Sequence, residues 1–138
     1  MQFYPNSATL VIAELVRAEL ALSKLRLFQD GFVPSVSTVS ADLVAAEADY
    51  TGYTAGGETI TAWLAPLLNP LGGASIDMPT EQFAAVAPYT VGNVIGGWWI
   101  EDAAGVVYAI GTFAEPIPVG AAGQGFPMAV TLVFPNGT

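Results

Sequence analysis

Between Asn93 and Phe113 the chain reads as a β-hairpin without a polar face. One strand is predicted over Asn93–Ile100 and the other over Gly105–Phe113. Glu101-Asp102-Ala103-Ala104-Gly105 makes the turn, with Gly105 able to take positive φ at a bulge. Side chains alternate along a strand, so Val94, Gly96, Trp98 and Ile100 are expected on one face and Ile95, Gly97 and Trp99 on the other. Both sets are apolar. Such a hairpin is central to a sheet or covered on both sides. Pro116 and Pro118 are expected to stop its second strand.

The other segments read as short strands between Gly and Pro turns. Lys24–Gln29 begins with the alternation of a half-buried strand and ends at Asp30-Gly31 and Pro34. Thr59–Leu64 is β-branched and aromatic, and follows the break at Gly56-Gly57. A strand is placed at Gln82–Val86, and a last one at Met128–Phe134, ending at Pro135-Asn136-Gly137. Pro66, Pro70 and Gly72-Gly73 mark a loop. Ala41–Ala48 is read as a short helical turn capped by Ser40, and Tyr50-Thr51-Gly52-Tyr53 as strand or turn. Before these lies a helix starting at Pro5-Asn6-Ser7, with Asn6 or Ser7 as N-cap. Val11, Leu15, Ala18 and Leu22 recur at helical spacing, and Ile12, Val16 and Leu20 form a second stripe beside them. Only a narrow polar face remains around Glu14 and Arg17, so the helix packs across a sheet or sits between subunits. The expected fold is mainly β: a β-sandwich or barrel-like domain with an N-terminal α-helix. The 138 residues suit one domain, with residues 1–23 as a helical arm and 24–138 as the β core.

Charge then narrows the function. Charged residues make up 11% of the chain, against roughly 25% in ordinary soluble domains. A lone monomer of this kind exposes apolar patches, which mark interaction surfaces. A membrane is not the expected answer: Leu10–Leu22 is interrupted by Glu14, Arg17 and Glu19, and a spanning helix needs about 20 mostly apolar residues. No secretory leader is expected either, which points to synthesis in the cytoplasm. The net charge is −9, and Arg17, Lys24 and Arg26 are the only basic side chains. An acidic body without cations is unsuited to nucleic acid. The three basic residues either pair with acidic surface on a neighbouring copy or bond carboxylates of their own chain.

No catalytic set is legible. The chain has no cysteine and no histidine, which excludes Ser-His-Asp and Cys-His chemistry, disulfides and thiolate metal sites. Asp42, Glu47 and Asp49, and the pair Glu101-Asp102, lack the spacing of a calcium loop. Gly56-Gly57 and Gly72-Gly73 lack the Lys and helix of a phosphate cradle. The expectation is no enzyme, no metal and no cofactor. Trp63, Trp98, Trp99, Tyr50, Tyr53 and Tyr108 suggest either a sugar platform or a core or inter-subunit seam. Trp98 and Trp99 point to opposite faces, so at least one of them is core. The candidate interface residues are Arg17, Lys24, Arg26, Leu15, Leu22, Trp63, Trp98 and Trp99.

The order of segments also resembles a known group. An apolar helix leads into Leu25-Arg26-Leu27-Phe28 and Pro34, then Gly52-Tyr53, Trp63 and Phe83. Gly96-Gly97-Trp98-Trp99-Ile100-Glu101-Asp102-Ala103-Ala104-Gly105 follows, and then Phe113 and Pro116. From about Leu22 onward this is similar to small virion structural proteins of tailed bacteriophages. The resemblance implies a particle component: a capsid decoration (cement) protein, or a tail or adaptor part. It implies copies of the chain as partners, a trimer being one form, together with other virion proteins such as the major capsid protein. The competing class is a host-attachment module that binds glycans. The short acidic chain favours decoration of the particle exterior over facing packaged DNA.

Overall fold

The computed structural model describes residues 5–69, 73–88, 90–121 and 123–135. Pro70, Gly72, Asn136 and Gly137, read above as turn residues, lie outside them. The fold is mainly β with one N-terminal helix, arranged like a sandwich. Helix α1 (Asn6–Glu19) leads into β1 (Ser23–Gln29), and α2 (Ser40–Ala45) precedes β2 (Glu58–Ile60). Then come β3 (Leu67–Leu68), β4 (Ala74–Asp77) and β5 (Glu81–Ala84). The hairpin is β6 (Asn93–Glu101) and β7 (Val107–Val119), followed by β8 (Gly125–Met128) and β9 (Thr131–Phe134).

The main sheet has the order β2-β1-β6-β7, with antiparallel neighbours. Opposite it stand the sheet β3-β4-β9, against which α1 packs, and the ribbon β5-β8. One core joins them: Leu25, Leu27, Ile95 and Ile100 of the main sheet meet Ile76, Phe83 and Met128 of the smaller sheets and Ala13 and Leu20 of the helical arm. On the main sheet's other face Phe28 and Trp99 pack with Leu43 of α2. β6 is thus covered on both sides, whereas β7, at the sheet edge, leaves Tyr108, Thr112, Ala114 and Glu115 exposed, so the hairpin is covered only along its first strand. Its turn is held by Asp102, whose Oδ1 accepts from the Ala104 and Val106 amides at 2.9 Å each, while Gly105 takes φ +84°.

Several expectations need correction. Asn6 and Ser7 do not cap α1: Pro5 holds the N-cap position without a side-chain cap bond. Ser40 does not cap α2 either; its hydroxyl turns to Glu101, and the Val39 amide instead donates to Asp42. The strand at Thr59–Leu64 shrinks to Glu58–Ile60, because Trp63 turns inward and its Nε1 donates to the buried Ser23 hydroxyl at 3.0 Å. Pro116 and Pro118 do not stop β7. That strand is the sheet edge, where a missing N–H is tolerated, and Pro116 falls where the register with β6 shifts. The same irregularity, between Ile95 and Gly97, breaks the simple alternation of β6. Ile95 packs on the core side with Ile100, apart from Trp99. The last strand is in fact two: β8 pairs with β5, and the chain then crosses at Ala129-Val130 so that β9 pairs with β4.

Candidate functional site

Two features stand out from this frame: a buried ionic cluster and an apolar outer surface. The cluster forms because β1 presents Lys24, Arg26 and Phe28 on the face opposite Leu25 and Leu27. Arg26 pairs in register with Trp99 of β6, and its guanidinium lies over the Trp99 ring, 4.8 Å from the centroid. It donates to both carboxylate oxygens of Glu47, at 3.1 and 2.6 Å, and to Glu101 at 2.5 Å. Glu101 also accepts from Trp99 Nε1 at 3.0 Å and Ser40 Oγ at 2.8 Å. Glu47 accepts from the Tyr53 hydroxyl at 2.9 Å and the Gly56 amide at 3.0 Å. The cluster therefore fastens the long connection between β1 and β2 to the main sheet at Ser40, Glu47, Tyr53 and Gly56.

The electrostatics match that role. Burial by itself raises the Glu101 carboxyl, but hydrogen bonds from Trp99, Ser40 and Arg26 and the Arg26 charge prevail and hold it below the usual range. Burial opposes the Arg26 charge, and the two carboxylates more than compensate, so the guanidinium stays protonated. Burial foremost, aided by the Glu47 charge, drives the Tyr53 phenol far above its ordinary value, against the Leu27 amide that donates to it. Every donor and acceptor named here is used within the chain. With Arg26, Glu47 and Glu101 only 11%, 12% and 7% exposed, the cluster reads as a structural fastener.

The interface candidates divide accordingly. Arg26, Trp63 and Trp99 are consumed inside the chain: Trp63 and Trp99 are 3% and 0% exposed, and Arg26 bonds local carboxylates. Trp98 is half-buried against the core. Arg17 reaches the Trp63 carbonyl at 2.9 Å and Glu14 at 2.8 Å, and Lys24 bonds Thr59 Oγ1 at 3.2 Å. Leu15 and Leu22 are outward, at 64% and 58% exposure. They are not alone. Val11 is 59% exposed on the same helix, and Leu67 and Leu68 of the adjoining β3 are 62% and 49% exposed. The two stripes of α1 thus sort unexpectedly. Its core side carries Thr9, Ala13 and Leu20 with Leu10 and Val16 packed beside them, and Val11 and Leu15 face outward. The sequence signal that finds this surface is the presence of two stripes, one more than a helix lying on a sheet can bury.

Open depressions elsewhere carry little chemistry. One lies at the end of the hairpin between Asp30, Asn93 and Pro118; another lies between α1 and Trp63, beside the Glu14–Arg17 pair. Among the described residues no three acidic side chains gather as a metal site would need, and no helix is long and apolar enough to cross a membrane. Comparison with known proteins gives no match, whether to a family model, a curated protein or a solved structure.

Proposed function

We propose that this chain is a non-enzymatic structural subunit of a bacteriophage particle, a decoration (cement) protein that packs on the outside of the shell as an oligomer. The observation that carries this reading is the outward apolar surface of α1 and β3 on a chain with 11% charged residues. Burying such a surface gains about 25 cal/mol per Å², and a regular shell offers repeated places to bury it. The net charge of −9 suits the exterior, away from packaged nucleic acid. A glycan-binding role has less support, since Trp63 and Trp99 point into the chain. The test is localisation: purified particles are labelled with an antibody to this chain and imaged by electron microscopy. Label over the head agrees with decoration. Label on the tail moves the assignment to a tail or adaptor part, and absence of label from particles overturns the proposal.

A further inference from the structure

We propose that residues 31–45 form a flap that lifts from the main sheet as a unit, while the sheet stays intact, and uncovers Phe28 and Trp99. The first observation is how little holds this stretch down. Among the described residues, every backbone hydrogen bond that 31–45 makes stays within the stretch or goes to the two residues after it, as from the Thr38 amide to the Ser35 carbonyl and from the Ala46 amide to the Leu43 carbonyl. Its side chains send one hydrogen bond to the rest of the fold, from Ser40 Oγ to Glu101 at 2.8 Å. The bonds of Ser35 with Ser37 and Thr38, and of Val39 with Asp42, are internal. Of its large apolar side chains Leu43 is buried, and Phe32 lies half-buried, edge-on to Phe28 at 5.4 Å. Val33, Val36, Val39 and Val44 are all exposed.

The second observation is that the ends of the stretch are clamped at neighbouring points. The Gln29 amide donates to the Ala46 carbonyl at 2.8 Å and the Ala48 amide to the Leu27 carbonyl at 2.9 Å, so that Phe28 bridges to Glu47. The Asp30 amide reaches the Val94 carbonyl at 2.8 Å. A surface loop whose ends meet in this way is an Ω-loop, and it can move without parting any ladder of the sheet. Gly31, at φ +96° and in open space, supplies a pivot.

The third observation is what lies beneath. Phe28 and Trp99 are fully buried, and Leu43 packs on them. Lifting the flap breaks the Ser40 bond, but Glu101 keeps Arg26 and Trp99 as donors, and Glu47 keeps Arg26. The ionic cluster therefore survives the motion and holds the rest of the connection in place. A unit tied down by so few buried contacts opens well below the free energy of global unfolding. This device is independent of the particle reading.

The test uses the whole chain. Hydrogen exchange of the parent is followed by NMR with urea added below the unfolding transition. The α2 amides should exchange more than about a hundredfold faster than the slowest amides of β1 and β6, and with little dependence on urea, because opening exposes little surface. The chain has no cysteine, so Leu43→Cys carries a single thiol, which a labelling reagent reaches only when that side chain leaves the sheet. Its labelling should be more than about tenfold faster than global unfolding of the same variant allows, as measured by its own urea curve. Labelling only as fast as global unfolding allows, with a steep urea dependence, overturns the flap. So does fast α2 exchange in the parent beside a thiol that stays protected, which is fraying of the helix alone. Either failure leaves the subunit reading standing.

Discussion

Replacing Arg26 by methionine keeps most of the side-chain bulk and removes the one cation between two carboxylates. Arg26 is 11% exposed, and its partners Glu47 and Glu101 are 12% and 7% exposed. Two negative charges would then face one another where water barely reaches. Breaking a buried pair from one side costs about 3–5 kcal/mol, several times the 1 kcal/mol or less, roughly, of an exposed pair. For a chain of this length the loss corresponds to a melting shift of about 10–20 °C. Urea unfolding followed by circular dichroism measures it through the midpoint at constant slope. The pH dependence has a definite sign. The Glu101 carboxyl lies below its usual range in the folded chain, so its stabilisation is present at neutral pH and lost as pH falls through that depressed value. Without Arg26 the Glu101 carboxyl takes up a proton more readily, so the gap between parent and variant should narrow in acid. Adding Glu47→Gln and Glu101→Gln to Arg26→Met should recover much of the loss, because the hydrogen bonds from Trp99, Ser40 and Tyr53 keep acceptors. A loss under about 1 kcal/mol at neutral pH would show that the cluster behaves like a surface pair, and the fastener argument would fail.

Other perturbations test separate parts of the fold. Gly57→Ala should cost more than about 2 kcal/mol in urea unfolding, because φ is +77° and a Cβ there collides with the Leu25 carbonyl and the Arg26 side chain. Leu22 holds φ +60° in the turn after α1, so Leu22→Gly should raise the melting temperature of the dissociated chain by relieving about 1 kcal/mol of strain, less what glycine adds in entropy. Burial first, and then the Glu58 charge, push the Tyr50 phenol up to about 12 from 10.0. Its stabilisation is complete below pH 10 and is lost as pH rises toward that folded value. Urea midpoints should therefore fall across this alkaline window, and Tyr50→Phe should flatten the fall.

What the sequence disclosed was mostly local. The hairpin was legible because Asp102 to Gly105 sets the turn and both flanking strands are apolar throughout. The helix was legible too, but not its orientation: two adjoining stripes leave inside and outside undecided, and the stripe of Val16 and Leu20, with Thr9 and Ala13, takes the inner side. β3 and β4 escaped notice, since Leu67-Leu68 and Ala74–Asp77 are too short to establish a period. The ionic cluster joins Arg26 to residues 21 and 75 positions away, a separation that no local pattern encodes. Its one local trace is that Arg26 sits in a strand between Leu25 and Leu27, on the face a lone surface cation would not need to share with Phe28.

The central claim is that this chain works by burying apolar surface in an assembly. The most direct measurement is the mass of the native protein in solution, over a range of concentrations and at low and high salt, against a chain mass of 14.3 kDa. Apolar burial predicts a multiple of that mass that persists in high salt, with salt slowing association at most. A monomer at every concentration, or an assembly that moderate salt returns to monomers, would contradict it.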